Sequence, residues 1–233
     1  MLIIKDEYIE GITSKFHAAA NEANALKMKQ YMRNQFDFLG IKSPQRREIQ
    51  HDFFKNYGVP GVKDIWEIAG ELWRFPEREF QYVAMELLFK KVKKMDPGHI
   101  DGFEELITNK SWWDTVDYLA ASHVGLHLKL YPQLIPSVTS AWMNSENMWL
   151  QRTCLLFQLK YKEDTDLDLL YGFIENLKDS NEFFIRKAIG WALREYSKTD
   201  PEEVKEFVAR TKMKPLSQTE ALKVINRSNQ RKV

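Results

Sequence analysis

Cysteine, glycine and proline are all scarce in this sequence, and each scarcity excludes a class of protein. The single cysteine, Cys154, cannot form an internal disulfide, which fits a reducing compartment and predicts a cytoplasmic protein. It lies in the run LQRTCLLF, which is typical of a small buried side chain and not of a reactive thiol. Ten glycines and eight prolines in 233 residues fall below the usual share. This scarcity argues against collagen-like, low-complexity and many-stranded β proteins.

Long apolar runs and the motifs of cofactor chemistry are also missing. No run approaches the ~18 apolar residues of a membrane span, and the start MLIIKDEYIE, acidic after four residues, is not typical of a signal peptide or an anchor. These two features lead us to expect no membrane partner. We find no GxGxxG, GxxxxGK[ST], GxSxG, CxxC or HExxH motif, so we expect no nucleotide cofactor. His123 and His127 have a spacing that can chelate zinc, but no third ligand is near. We therefore expect no metal, and a solvated or lightly packed histidine pair.

Helical periodicity runs through nearly the whole chain. In the segment Pro76–Lys94, proline and two glutamates come first, lysines come last, and apolar residues recur at three- and four-residue intervals. The segments Glu146–Lys162 and Asn181–Lys198 have the same pattern. No alternating run is long enough to indicate a strand. The sequence predicts an all-α fold.

A weak repeat gives this fold an architecture. Aligning REFQYVAMELL, WWDTVDYLAAS, MWLQRTCLLFQ and FFIRKAIGWAL superimposes Glu79, Trp113, Trp149 and Phe184, at spacings of 34, 36 and 35 residues. One helical hairpin per period is typical of an α-solenoid of HEAT-like repeats. We expect one domain over residues 1–233, a curved shape with a concave basic groove, a monomer, and a frayed basic tail at 227–233.

The net charge of +1 hides two opposed charge blocks. Residues 205–233 carry eight Lys or Arg and two Glu, whereas residues 163–182 carry seven acidic residues and one lysine. Such polarity suits a protein with one face for an anionic partner. Ordinary solvated surface explains the blocks equally well, and both interpretations stay open.

Tryptophan and carboxylate share one helix face in the segment NKSWWDTVD. Trp113 and Asp117 are four residues apart and therefore one turn apart on the same side. Taken alone, this pattern favours a core indole beside a satisfied carboxylate.

Basic residues interleave with other indoles at equivalent repeat positions. Arg152 follows Trp149 by three residues, and Lys187, Trp191 and Arg194 fall at i, i+4 and i+7. This arrangement suits a surface that binds phosphates by charge and bases or sugars by stacking. It fits a nucleic-acid hydrolase, and a protein-binding scaffold could also show it.

The segment FDFLGIKSPQRRE, further upstream, predicts a helix whose first turn is positively charged. We expect Gly40 to break the chain, Ser43 to cap the next helix and Pro44 to begin it. Arg46 and Arg47 then fall in the first turn, where positive charge opposes the helix dipole. An anion bound there would explain them, and a plain solvated turn is as good an explanation.

Five blocks in order resemble the AlkD family of bacterial DNA glycosylases: YMRNQFDFLGIKSPQRR, ELWRFPEREFQ, TNKSWWDTVD, WLQRTCLLFQLKYK and FFIRKAIGWALREYSKT. The resemblance covers about Tyr31 to Thr199 and continues more weakly through PLSQTEALK. It implies HEAT-like repeats around a basic DNA groove, and excision of purines alkylated at ring nitrogen 3 or 7.

The resemblance also assigns roles to individual residues. It implies a catalytic cleft formed by Trp113, Asp117 and Trp191. The implied DNA contacts are Arg152 beside the cleft and Tyr31, Lys42, Ser43 and Arg47 near the lesion; we add Lys160, Lys187 and Arg194 to this set. Lys42 and Ser43 stand where the family has glutamine and threonine, so contacts there differ in detail.

The implied reaction is hydrolysis by a monofunctional DNA glycosylase acting on duplex DNA. An alkylated purine already carries positive charge and leaves without protonation, so a carboxylate that stabilises an oxocarbenium-like sugar and supplies water is sufficient. The resemblance further implies that the lesion is engaged from the sugar-phosphate side without a tight base pocket. The alternative function is a non-catalytic helical-repeat module that binds damaged or branched DNA.

Overall fold

The computed structural model describes residues 4–230, without the side chains of residues 228–230. Regular structure in this part of the chain is helical, and the only β-type pairing is an isolated bridge between Asp37 and Glu77. The predicted all-α fold is confirmed. The chain divides into two compact units, Met1–Met95 and Asp96–Val233, and the single domain over residues 1–233 stays a prediction.

Each unit is a succession of short helices. The first unit contains α1 Lys5–Ala18, α2 Glu22–Tyr31, α3 Ser43–Tyr57, α4 Val62–Arg74, α5 Arg78–Phe89 and a 3₁₀ turn at Val92–Lys94. The second unit contains α6 His99–Thr108, α7 Trp113–Tyr118, a π-helical segment at Leu119–Val124, α8 Gly125–Leu130, a 3₁₀ turn at Pro132–Leu134, α9 Ile135–Asn144, α10 Met148–Leu156, a 3₁₀ turn at Lys162–Asp164, α11 Leu167–Leu177, α12 Phe183–Tyr196, α13 Pro201–Arg210, α14 Pro215–Ala221 and α15 Lys223–Gln230. Of the tail expected to fray, residues 227–230 continue α15, and residues 231–233 lie outside the described residues.

The repeat seen in the sequence coincides with helix starts. Glu79, Trp149 and Phe184 are each the second residue of a helix, and Trp113 is the first residue of α7. The aligned positions therefore have the same place in successive elements. The HEAT-like nature of the repeats remains a prediction.

A buried carboxylate fixes the loop between α2 and α3. Glu79 is fully buried and accepts hydrogen bonds from the backbone amides of Leu39, Gly40 and Ile41 at 2.9–3.1 Å. Gly40 has a φ of +85°, and a Cβ there would lie 2.1 Å from the carbonyl oxygen of Asn21. Only glycine fits this conformation and this close approach. These contacts fix the loop that leads into the start of α3.

The helix α7 continues through the π-helical segment into α8 without a break. Gly125, at the junction, lies so close to the end of α10 that a Cβ would come within 2.3 Å of the Phe157 carbonyl oxygen. The Tyr161 hydroxyl donates to the Gly125 carbonyl oxygen at 2.6 Å. π-helical turns are uncommon and often accompany functional sites. Here the turn directly follows the helix that carries Asp117.

The two histidines in the continuous helical segment from α7 to α8 are not solvated. His123 and His127 are fully buried, and both rings contact the Phe103 ring edge-on with centroids 5.7 Å apart. The expectation of a solvated or lightly packed pair is wrong, because both imidazoles pack among aromatic rings of the core. Within residues 4–230, no group of three or more His, Cys, Asp or Glu side chains could hold a metal ion.

Candidate active site and nucleic-acid interface

Asp117 and Arg152 form a buried bidentate ion pair between α7 and α10. Arg152 Nε donates to Asp117 Oδ1 at 2.7 Å, and Arg152 Nη2 donates to Asp117 Oδ2 at 2.8 Å. This parallel arrangement matches the planar guanidinium to the planar carboxylate and fixes both orientations. The Arg152 side chain is only 4% exposed, whereas the Asp117 side chain is 15% exposed. The carboxylate is therefore the accessible member of the pair.

A main-chain carbonyl accepts a third hydrogen bond from the guanidinium of Arg152. Arg152 Nη1 donates to the carbonyl oxygen of Phe184, which lies in the first turn of α12. Through this one side chain, three helices that are far apart in the sequence are connected. Arg152, predicted to contact the DNA backbone, is thus engaged inside the protein.

The ionisation of Asp117 depends on opposing effects. Burial raises the pKa of the Asp117 carboxyl above its ordinary value, the hydrogen bonds and the charge of Arg152 act to lower it, and nearby Asp114 adds a smaller upward push. A charged acid at this depth is stabilised by its partner. In its ionised form Asp117 has weakened hydration, and this form is the one suited to interact with developing positive charge.

A cluster of aromatic rings lies beside the ion pair. Trp112, Trp149 and Phe184 contact one another with ring centroids 5.1–5.8 Å apart, and the exposed Phe183 meets Phe184 edge-on at 5.4 Å. Phe184 also faces Arg152, whose guanidinium carbon lies 5.8 Å from its ring centroid. Sequence reasoning aligned Trp149 and Phe184 in the repeat but did not assign Trp112, Phe183 or Phe184 to the site.

Both predicted cleft indoles are half-buried residues of the second unit. Trp113 begins α7 and precedes Asp117 by one helical turn, as the sequence predicted. Trp191 lies on α12, seven residues after Phe184 and therefore on the same side of the helix two turns further along. Placing Trp191 in a cleft with Trp113 and Asp117 remains a prediction.

Lys187 and Arg194 of α12 form ion pairs with Glu220, a residue to which the sequence analysis gave no role at the site. Lys187 Nζ lies 2.8 Å from Glu220 Oε1, and Arg194 Nη1 donates to Glu220 Oε2. Lys223 Nζ approaches the same side chain at 3.8 Å. The hydrogen bond from Lys187 and the surrounding positive charge lower the pKa of the Glu220 carboxyl, which favours its ionised form beside the three basic side chains.

Lys160 is also held in place by a neighbour. Its Nζ donates to the Ser122 hydroxyl at 2.7 Å, although the residue is exposed. Ser122 is buried in the π-helical segment. An ammonium group that uses one donor internally keeps two for an anion.

The four remaining predicted DNA contacts belong to the first unit. Tyr31 ends α2 and is strongly exposed; Lys42, Ser43 and Arg47 are exposed at the start of α3. Ser43 is not the cap that the sequence predicted, because α3 already begins at Ser43 and its N-cap residue is Lys42, without a side-chain cap. The first backbone amides of α3 thus have no capping side-chain oxygen competing for them.

Two adjacent arginines in this helix have different environments. Arg46 is buried, donates to Gln50 Oε1 at 2.7 Å and lies 4.9 Å from the Tyr82 ring centroid. Arg47 is exposed, and no ion pair among the described residues includes it. Of the two, Arg47 is therefore the one available to an anion at this helix start.

The Cys154 side chain and the lengths of the helices can be compared with the sequence-based expectations. Cys154 is buried as predicted, and burial raises the pKa of its thiol. Over residues 4–230, we find no helix with the length and apolarity that crossing a bilayer requires.

Comparison with known proteins places this chain in a family. Residues 12–225 match the family model of DNA alkylation repair enzymes. A solved structure described as a predicted DNA alkylation repair enzyme from Enterococcus faecalis superimposes with a TM-score of 0.82 at 34% identity, covering 88% of this chain and 95% of that one. No curated protein matches the chain. With nearly its whole length matched, the chain belongs to the DNA alkylation repair enzyme family.

Proposed function

We propose that this protein is a DNA glycosylase that hydrolyses the N-glycosidic bond of cationic 3- or 7-alkylpurines in duplex DNA. The observation that carries the proposal is the Asp117–Arg152 pair: a partly accessible carboxylate fixed by a buried guanidinium. The exposed part of the Asp117 side chain is open to contact from solvent or a ligand. Membership of a DNA alkylation repair family supplies the substrate class.

The reaction requires little from the protein beyond a placed negative charge. Alkylation makes the purine cationic, so when the bond from sugar C1′ to the base nitrogen breaks, its electron pair neutralises the base and the base leaves without a proton. The sugar becomes an oxocarbenium-like cation, water adds its oxygen to C1′, and one proton is released. The products are a free alkylated base and an abasic site.

Asp117 acts on the sugar in this scheme. Its carboxylate stabilises the positive charge that develops at C1′ and orients the attacking water. Because burial removes much of the hydration of the carboxylate, its attraction for that charge is stronger than in bulk water. Arg152 serves as a positioning residue that keeps the carboxylate oriented and ionised.

Trp113 and Trp191 select cationic nucleotides. The face of an indole attracts a cation by about 0.5–2 kcal/mol, depending on how much water is excluded. A neutral purine gains no such attraction and has a stronger glycosidic bond. The two indoles therefore favour the damaged nucleotide both in binding and in the step that breaks the bond.

We assign two sets of residues, one in each unit, to contacts with DNA phosphates. In the first unit we assign Tyr31, Lys42, Ser43 and Arg47 to this role, and in the second unit Lys160, Lys187 and Arg194. Cations that contact phosphates release counterions, so binding of DNA should weaken as salt is added.

The test is base release from methylated DNA. Wild-type protein should free 7-methylguanine and 3-methyladenine, and Asp117→Asn should reduce release at least ~100-fold with little loss of affinity for DNA. Asp114→Asn is the matched control, because it removes a carboxylate three residues away and should retain activity. Base release that is absent in the wild type, with salt-dependent DNA binding retained, would favour the non-catalytic binding module.

A further inference from the structure

Three cations of the second unit converge on the single carboxylate of Glu220. Oε1 of Glu220 accepts a hydrogen bond from Lys187 at 2.8 Å, Oε2 accepts one from Arg194, and Lys223 lies 3.8 Å away. The Glu220 side chain is 12% exposed, whereas those of Lys187 and Arg194 are 37% and 24% exposed. The negative charge is therefore the inner member of the cluster.

A glycine makes this arrangement possible. A Cβ on Gly190 would lie 2.5 Å from Glu220 Cβ and 2.8 Å from the Ser217 carbonyl oxygen, so α14 rests directly on the backbone of α12 at this residue. The Ser217 hydroxyl also donates to the Arg186 carbonyl oxygen at 3.1 Å. Glu220 is thereby fixed between the two cations, one turn before and one turn after Gly190.

Lys187 and Arg194 are helical neighbours of Trp191 on α12, and both lie on its α14 side. Each residue of an α-helix turns the chain by about 100° around the helix axis. Measured around that axis from Gly190, Arg194 lies at about 40°, Lys187 at about 60° and Trp191 at about 100°. The two cations thus stand between the α14 side of the helix and Trp191. Hydrogen bonds to Glu220 draw them towards α14 and away from the indole.

This direction matters for the chemistry proposed above. Positive charge next to Trp191 would repel a cationic purine and an oxocarbenium-like sugar, yet the same positive charge is useful at a phosphate. We propose that Glu220 is a positioning residue: it holds Lys187 and Arg194 ready for a DNA phosphodiester while keeping their charge away from the cationic nucleotide at Trp191. The inference rests on the proposed glycosylase function.

The pairing leaves donors for the phosphate. An arginine has five N–H donors and a lysine has three, and the hydrogen bonds to Glu220 use one donor on each side chain. Both side chains are partly exposed, so the remaining donors can reach solvent. One negative charge among three positive ones leaves the cluster attractive to an anion.

The experiment compares affinity and excision in Glu220→Gln. The substitution keeps the shape of the side chain and removes its charge. We expect an undamaged duplex to bind about fivefold tighter at low salt, since the cations lose their internal counter-charge. Single-turnover release of 7-methylguanine at saturating protein should be about threefold slower, because the positive charges of Lys187 and Arg194 can then move closer to the reacting nucleotide.

Opposite changes in the two quantities distinguish this role from a structural one. Glu206→Gln, which removes an exposed carboxylate on α13, is the control and should change neither value appreciably. Glu220→Asp should restore part of the wild-type behaviour. If Glu220→Gln lowers affinity and excision together, or leaves excision unchanged, the proposal is overturned.

The same data separate this inference from the proposed function. If the wild-type protein releases no base, the glycosylase proposal fails on its own. The affinity comparison then still decides whether Glu220 restrains the cations, and equal affinity of the variant and the wild type would refute that.

Discussion

Both carboxylate oxygens of Asp117 are bound by the guanidinium of Arg152, at 2.7 and 2.8 Å. The pair spans 35 residues of sequence, close to the 34–36-residue period of the repeat. A side chain in one period therefore fixes the functional group presented by the preceding period. This arrangement makes the orientation of Asp117 a property of helix packing and not of its own helix alone.

Replacing Arg152 with lysine should slow excision more than it weakens DNA binding. Lysine keeps the charge but cannot donate two parallel hydrogen bonds, so Asp117 loses its fixed orientation. We expect base release to fall about 10- to 100-fold, equivalent to about 1.4–2.7 kcal/mol of transition-state stabilisation. Single-turnover kinetics with methylated duplex will measure it. A wild-type rate in Arg152→Lys would mean that the bidentate geometry is dispensable.

The acid limb of the pH–rate profile should report the Asp117 carboxyl. Burial raises its pKa above the ordinary value of 3.8, so activity that needs the carboxylate should be lost, as pH falls, at a pH above 3.8. Removing the like charge in Asp114→Asn should move this limb to lower pH, and weakening the Arg152 contact should move it to higher pH. Rates are corrected for spontaneous depurination in protein-free samples. If neither the Asp114 nor the Arg152 substitution moves the acid limb of the pH–rate profile, that limb reports the titration of a group other than Asp117.

Glu79→Gln should destabilise the first unit and weaken DNA binding. The amide side chain has one acceptor oxygen, so it cannot serve the amides of Leu39, Gly40 and Ile41 together. Leaving a buried N–H unpaired costs about 1–3 kcal/mol. Urea unfolding should show this loss, and duplex binding should fall because the loop positions Lys42 and Ser43. Excision at saturating protein should stay near the wild-type rate; a large loss there would tie Glu79 to the chemistry instead.

Two glycines in helix interiors should respond oppositely to alanine. A Cβ on Gly190 would lie 2.5 Å from Glu220 Cβ, so Gly190→Ala should force α12 and α14 apart at a cost of about 1–3 kcal/mol. A Cβ on Gly172 in α11 meets nothing within 4 Å, so Gly172→Ala should stabilise the protein by about 0.5–1 kcal/mol. Thermal unfolding of both variants is the measurement. Equal effects would contradict the close packing assigned to Gly190.

Local features were predictable from the sequence, whereas pairings across helices were not. The apolar spacing of Pro76–Lys94 predicted α5, and the four-residue step from Trp113 to Asp117 predicted their shared face, because both depend only on helix geometry. The Lys187–Glu220 contact joins residues 33 positions apart, and nothing in a periodic pattern distinguishes Glu220 from the other acidic residues near it. The histidines were mispredicted for the same reason: the Phe103 ring that packs against both of them belongs to another helix, α6.

The acceptor that Arg152 finds on α12 is the main chain of Phe184, not its ring. Every amino acid has that carbonyl, so a change of side chain at position 184 would remove ring contacts but leave the acceptor in place. Relatives could therefore keep the same anchor for their arginine while showing no shared residue there, and a search for co-varying positions would overlook it.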